Sequence, residues 1–369
     1  MNYNDLKATI ALQTIPNIGD INAKRLIKKC GSPEGVFKEK RKNLLKIDGI
    51  GTYTLEHLFD PVYQAKADEE IRFIEANKIE YLFFTDENYP SRLKYCMDSP
   101  ILLFSRGNID LRSRKVISIV GTRKVTGHGI DFCERLLEEL LPLNPVIVSG
   151  FAYGVDITAQ KTAERLGMQT IGCLAHGLNQ MYPKVHTPYV KRIEKNGGFL
   201  TEFHSTSNPD RENFLKRNRI IAGISEATIV IESAEKGGSL VTAAIANSYN
   251  REVFAVPGRS EDKFSTGCNN LIKSQKAHML TSAADLIYIL GWDIEAPAMA
   301  EPSIQKQLFE ELTSDEQTVY DFLLKNGKEL MDLIALECKL PIHQVSSLLL
   351  SMELKGVIRP LPGKLFEAV

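Results

Sequence analysis

Between residues 115 and 256 the chain repeats one pattern: a short run of β-branched and apolar residues, then a stretch of helical periodicity. The runs fall at 115–120, 145–148, 170–174, 198–201, 227–231 and 252–256. The helical stretches between them fall at 129–141, 155–166, 188–195, 214–223 and 240–249. Strands separated by helices join through right-handed crossovers and pair in parallel. The pattern therefore specifies an α/β fold with a doubly wound parallel sheet. The runs are almost continuously apolar, as strands covered on both faces require. Residues 67–112 hold a helical stretch (68–77), a strand (81–84) and a loop through Tyr89-Pro90, and they extend the sheet or its edge.

The two ends read differently. Residues 1–66 contain Ile15-Pro16-Asn17-Ile18-Gly19 and Ile47-Asp48-Gly49-Ile50-Gly51, followed by helical stretches at 21–29 and 53–59. Such turns resemble the helix-hairpin-helix element of SAM-like helical domains, whose open N–H groups can hold a phosphate. Lys24, Arg25, Lys28 and Lys29 follow the first turn. The plainer alternative is a helical bundle whose glycines make tight turns. After Trp292, residues 295–302 read as a linker. Helical stretches at 314–325, 329–338 and 342–354, then a hairpin over 357–366, compose a winged helix. The expected division is thus 1–66 helical, 67–292 sheet core, 293–312 linker and 313–369 winged helix.

The net charge of −1 excludes a globally basic nucleic-acid binder but leaves room for a local basic cleft. Residues 1–66 carry +4 and residues 306–369 carry −3, so the ends meet different partners. The six cysteines form no C-x-x-C pair and the seven histidines no H-x-x-x-H spacing, which argues against a disulfide framework or a metal site. No apolar run approaches the roughly 20 residues needed to span a bilayer. The N-terminus lacks a signal-peptide pattern, so no membrane is expected and the cytoplasm is the default location.

In a doubly wound sheet, ligands bind outside the carboxyl ends of the strands. The small and polar residues fall there: Gly121-Thr122-Arg123 after the first strand, then Ser149, Gly150 and Gly154 opening a helix. Tyr182 and Lys184 follow the third, Glu202 ends the fourth, and Gly237-Gly238-Ser239 and Pro257-Gly258 follow the last two. Together they make a rim of open N–H groups at helix N-termini, suited to anions. Neither G-x-G-x-x-G nor a P-loop lysine is present, so a dinucleotide site or NTP hydrolysis finds no support and no cofactor is expected. Asp156, Glu202 and Glu232 are candidate acids or bases, or they cap helices and bind amides. Arg211, Lys216, Arg217, Asn218 and Arg219 surround Phe214 on one helix. Arg217 and Arg219 cannot share a face, so one can serve the rim while the other makes a structural ion pair. Phe151, Tyr153 and Tyr182 could stack on unpaired bases or simply pack.

Val120-Gly121-Thr122-Arg123, the 149–156 segment, Tyr182-Pro183-Lys184, the 214–223 segment, Glu232 with 237–243, Pro257-Gly258 and Gly267-Cys268-Asn269-Asn270-Leu271-Ile272 together resemble the DprA/Smf family of DNA-processing proteins. Tyr89-Pro90 with Leu93, and Pro100 with Leu103 and Gly107, match too, so the likeness covers about residues 81–282. It implies an extended Rossmann-like domain that binds single-stranded DNA, protects it and loads the RecA recombinase during natural transformation. It also implies a homodimer, no nucleotide cofactor and no catalysis. Arg123 and Lys184 match the family's DNA-contacting positions. Leu271, Ile272, Met279 and Leu280 lie near the region the family uses for dimerisation. Gln160 stands where the family usually has His, and 273–277 lacks an expected glycine. The alternative class is a phosphoribohydrolase-like enzyme of the same superfamily. Here Thr242 is followed by Ala243-Ala244-Ile245, without that group's glutamate. A third reading is a small-molecule sensor with a winged-helix output.

Overall fold

The computed structural model describes residues 1–112, 115–292 and 312–369. By contact density the chain forms two units, Met1–Met279 and Leu280–Val369.

The first unit is built on a nine-stranded sheet: β1 (Glu80–Phe83), β2 (Leu102–Asn108), β3 (Val116–Val120), β4 (Val146–Ser149), β5 (Thr170–Cys173), β6 (Gly197–Thr201), β7 (Ala227–Val230), β8 (Glu252–Ala255) and β9 (His278–Met279). The order is β1-β2-β6-β5-β4-β3-β7-β8-β9. From β6 to β9 every pairing is parallel, whereas β1 and β2 add an antiparallel margin on β6. The expected doubly wound sheet is therefore present. Alternate side chains serve two cores. Phe199 packs with Phe104, Phe151 and the N-terminal helices, while its neighbour Leu200 packs with Val148, Ile171 and Ile220.

Two expectations at the N-terminal end need correction. Helices Tyr3–Thr14 and Asp20–Cys30 flank the first motif, but no regular helix forms over 53–59 after the second. A pair of helix-hairpin-helix elements is therefore absent from the described residues. The helix expected at 68–77 is longer, Pro61–Asn77, so it runs straight through the 66/67 boundary. Asp60 caps it by accepting from the Val62 N–H, and Pro61 occupies the first turn, where its missing N–H costs nothing.

The second unit, Leu280–Val369, includes helix Ala283–Leu290. The Gly363 N–H donates to the Ile289 carbonyl at 2.8 Å within this unit. Helices Ser314–Asn326, Met331–Glu337 and Ile342–Leu354 then pack around Val319, Leu323, Ile334, Val345, Leu349 and Met352. Strands β10 (Glu329–Leu330), β11 (Ile358–Leu361) and β12 (Leu365–Ala368) pair in the order β10-β12-β11. This is a winged helix. Nearly all of the expected linker lies outside the described residues. Among the described residues no single helix is long and apolar enough to cross a membrane.

Candidate nucleic-acid interface

The strand order reverses at β3: β4 to β6 lie on one side, β7 to β9 on the other. A crevice opens where the crossovers diverge, outside the carboxyl ends of β3 and β7. It is a cleft of about 540 Å³, and Thr122, Arg123, Asp156, Phe214, Arg217 and Gly238 are among its lining residues.

The first wall follows β3. The Thr122 N–H donates to the Glu232 carbonyl at 2.8 Å, and the Thr122 carbonyl accepts from the Val155 N–H at 3.2 Å. A side chain at Gly121 would meet Val155 at 2.4 Å. The turn thus sets Arg123 at the mouth. Its guanidinium is exposed, 4.9 Å from the Phe214 ring centroid, and no carboxylate of the described residues pairs with it.

The second wall follows β4. Gly154 has φ +76°, and a Cβ there would lie 2.2 Å from the Thr122 carbonyl oxygen, so only glycine fits. Gly150 is pressed between Asp156 and Arg217, and a Cβ would lie 2.5 and 2.7 Å from their polar atoms. The Gly150 N–H donates to Asp156 Oδ2 at 3.1 Å, and Arg217 Nη1 donates to the Gly150 carbonyl at 2.8 Å and to that of Cys173. Burial pushes the Asp156 carboxyl up, with Arg217 and two backbone N–H groups opposing it. Arg217 and Asn218 are buried, so they brace the cleft floor rather than reach outward. Ser149 is buried too, its hydroxyl donating to the Ile119 carbonyl at 2.6 Å; it ties strands together and offers nothing to a ligand. Phe151 is fully buried against Phe199 and His186, so it packs and does not stack on bases.

Beyond the lining, Tyr182 is 39 % exposed with its ring 6.0 Å from that of Phe214, and Lys184 is exposed two residues on. The remaining wall carries the glycine loop. Ser239 Oγ donates to Ser233 Oγ at 3.0 Å, and a Cβ at Gly237 would meet that Ser233 oxygen at 2.1 Å. Gly238 faces open space and begins the Gly238–Ser248 helix, whose N-terminus lines the cleft.

The structure separates the two arginines. Arg219 is buried, bonded to Asp20 at 2.9 Å and Glu202 at 2.5 Å, with Glu202 also holding Lys216 at 2.9 Å. Arg219 is therefore an internal tie and not a rim contact. Every candidate acid is engaged: Glu232 accepts from the Thr126 N–H and hydroxyl at 2.9 and 2.5 Å, Asp156 binds amides, and Glu202 is paired. Among the dimer candidates, Leu280 is fully buried in the single chain and unavailable to a partner. Leu271 and Ile272 are half-buried against the core, and Met279 is 55 % exposed on the edge strand β9.

A second cleft, about 780 Å³, opens outside the end of β8 around Glu232, Pro257 and Gly258, and sequence reading missed the cations it holds. Its exposed Arg259 and Lys263 lie in an irregular turn that carries no motif. It abuts the first because Thr126 and Glu232 line it while Arg123 and Ser233 line the other.

Comparison with known proteins agrees with this architecture. Residues 80–291 match the DNA recombination-mediator protein A family, and residues 303–364 match the DprA winged helix domain. Protein Smf of Synechocystis is 29% identical, with 97% of each chain aligned. The solved structure of DNA processing protein A from Streptococcus pneumoniae superposes with a TM-score of 0.66 at 29% identity, covering 78% of this chain and 97% of the other. DNA processing protein A from Helicobacter pylori, solved for its single-stranded DNA binding mode, gives a TM-score of 0.52 at 29% identity over 57% of this chain and 94% of that one. With more than half of its residues in the match, and with the sheet, switch-point cleft and winged helix in place, the chain belongs to the DprA/Smf family of DNA recombination mediators.

Proposed function

We propose that this chain binds single-stranded DNA along the rim of the parallel sheet, protects it and delivers it to a RecA-type recombinase during natural transformation, without catalysing a reaction itself. The observation that carries the reading is the group at the cleft mouth: Arg123, with no carboxylate partner among the described residues, lying on Phe214, and Tyr182 with its ring 6.0 Å from that of Phe214. Aromatic faces take unpaired bases and free cations take phosphates, the combination that single-strand binders use. The open backbone at Gly237-Gly238-Ser239, with Thr122 and Gly121 opposite, admits a phosphate chain to the N–H groups of the helix terminus. Lys184 extends the charge along the rim. The single-strand binding named for the Helicobacter pylori relative supports the same reading. Engagement of Asp156, Glu202 and Glu232 by internal partners leaves the hydrolase alternative without a favouring observation. We assign homodimerisation to the β9 edge, through Met279 with Leu271 and Ile272, and place the protein in the cytoplasm.

Fluorescence anisotropy with single- and double-stranded oligonucleotides across a salt series tests the central claim. Single strands bind preferentially, and affinity falls by about 0.7 log units per log unit of salt for each phosphate neutralised. Equal affinity for duplex rejects it. Recombinase delivery is read separately, as faster filament formation on coated single strands.

A further inference from the structure

Both ring nitrogens of the buried His176 are occupied by backbone groups with opposite demands. Nδ1 lies 2.8 Å from the Gly177 carbonyl oxygen, which only accepts. Nε2 lies 3.2 Å from the Tyr182 nitrogen, whose N–H only donates. One species satisfies both: the neutral imidazole with its proton on Nδ1. A second proton, on Nε2, would set N–H against N–H.

The base of the loop is fixed without the ring. Thr201 Oγ1 donates to the His176 carbonyl at 2.9 Å, and the Gly177 N–H donates to the Ser207 carbonyl at 3.1 Å. The far end is different: the ring is what holds the Tyr182 N–H, immediately before Pro183 and Lys184. The surroundings favour the neutral ring. Arg217 from the Arg211–Ile224 helix and Arg106 from β2 both oppose a further positive charge. Arg106 is itself paired with Glu194 at 2.6 Å and donates to the Leu178 carbonyl at 3.1 Å. Glu202, after β6, is held by Arg219 and Lys216. His204 beyond it and the Cys173 thiol of β5 are buried; burial pushes His204 down to about 4 and Cys173 up to about 12. No carboxylate among the described residues bonds the ring. Burial first, and then the two arginines, hold His176 below the ordinary imidazole value.

We propose that His176 is a positioning residue that keeps Tyr182 and Lys184 in their DNA-binding arrangement only while its ring is neutral, so that acidification loosens the grip on the strand. This rests on the proposed single-strand binding at the rim. The sign is distinctive. Acid generally adds positive charge to a protein and tightens its hold on DNA, whereas release of this loop does the opposite.

The test compares the full-length wild type with His176→Gln and His176→Phe. The Gln amide oxygen can accept from the Tyr182 N–H and does not titrate; Phe offers no acceptor. At pH 7.5, wild type and His176→Gln bind a single-stranded oligonucleotide within threefold of each other, and His176→Phe binds at least tenfold more weakly. As pH falls from 7.5 to below the ordinary imidazole value, wild type loses affinity relative to His176→Gln, reaching at least tenfold once the ring is fully protonated. Parallel pH profiles, or unimpaired binding by His176→Phe, overturn the proposal. If a variant fails to fold, nitrogen-15 NMR of the wild-type ring decides: the Nδ1–H tautomer, with loss of Tyr182 amide protection as the ring protonates, is expected. An Nε2–H tautomer refutes it. Absence of any DNA binding by wild type at pH 7.5 refutes the rim reading instead, and the ring and amide measurements then judge His176 alone.

Discussion

Arg123 and Arg219 look alike in the sequence and should behave in opposite ways when removed. Arg219→Ala deletes the cation between the partly buried Asp20 and the buried Glu202, and both carboxylates lose their shared partner. Breaking a buried ion pair from one side costs about 3–5 kcal/mol. Against a total stability of about 5–15 kcal/mol, that is a large fraction. Arg123→Ala removes an exposed guanidinium whose intramolecular contact is the Phe214 face, worth about 0.5–1 kcal/mol. Under the proposed function the same change also deletes a charge-assisted phosphate contact of about 1.5–3 kcal/mol, or roughly ten- to hundredfold in affinity. Urea denaturation followed by circular dichroism reads the first quantity, and anisotropy with a single-stranded oligonucleotide reads the second. The expected result is a crossed pattern: Arg219→Ala is unstable and, where folded, binds normally, while Arg123→Ala is stable and binds weakly. An Arg219→Ala protein within 1 kcal/mol of wild-type stability, or a folded one that has lost affinity as Arg123→Ala does, would refute the reasoning.

Three further outcomes follow from geometry. Gly154→Ala should lose about 1–3 kcal/mol of stability from its backbone conformation alone, with added loss from contact with the Thr122 carbonyl, and should weaken DNA binding; unchanged melting would show that the turn relaxes freely. For Glu316, burial alone would raise the carboxyl, but hydrogen bonds from Lys355, Thr313 and Ser351 hold it at about 2. Its contribution to the winged helix is thus present above the ordinary carboxylate value and is lost as pH falls toward 2. Hydrogen exchange in helix Ser314–Asn326 should show this acid loss in wild type and a flatter profile in Glu316→Gln. Deleting residues after 312 should leave single-strand affinity within threefold of wild type. The exposed side of helix Ile342–Leu354 presents His343, Ser346, Ser347, Leu350 and Leu354 without a lysine or arginine. Loss of most of the affinity with the oligomeric state intact would assign DNA contact to the winged helix.

Seven strands of the large sheet were legible and appear near their expected places: β3 to β8, because buried parallel strands write themselves as apolar runs, and β1, expected at 81–84. β9 was not, since two residues carry no periodicity. β2 was missed because its second half, Arg106-Gly107-Asn108, reads as a turn until paired with β6, whose residues lie some 90 positions away. At the site, glycines announced the rim, but nothing local distinguished Arg217 from Arg219; their roles depend on Asp156, Asp20 and Glu202, all distant in sequence. The helix-start signal at Asp60-Pro61 already argued against a boundary at 66/67.

The uninterrupted Pro61–Asn77 helix has a consequence for how the molecule comes apart. Its Glu70 accepts from the Ser205 N–H and hydroxyl just beyond β6, and its Ile71 and Ile74 share one apolar cluster with Ile10, Leu26, Phe104 and Phe199. The N-terminal helices are thus not a detachable module. Heat or denaturant should melt them together with the sheet in one cooperative transition. A protease acting on the native protein should find no cleavable seam near residue 66, and a fragment starting there would carry its apolar seat for those helices uncovered into solution.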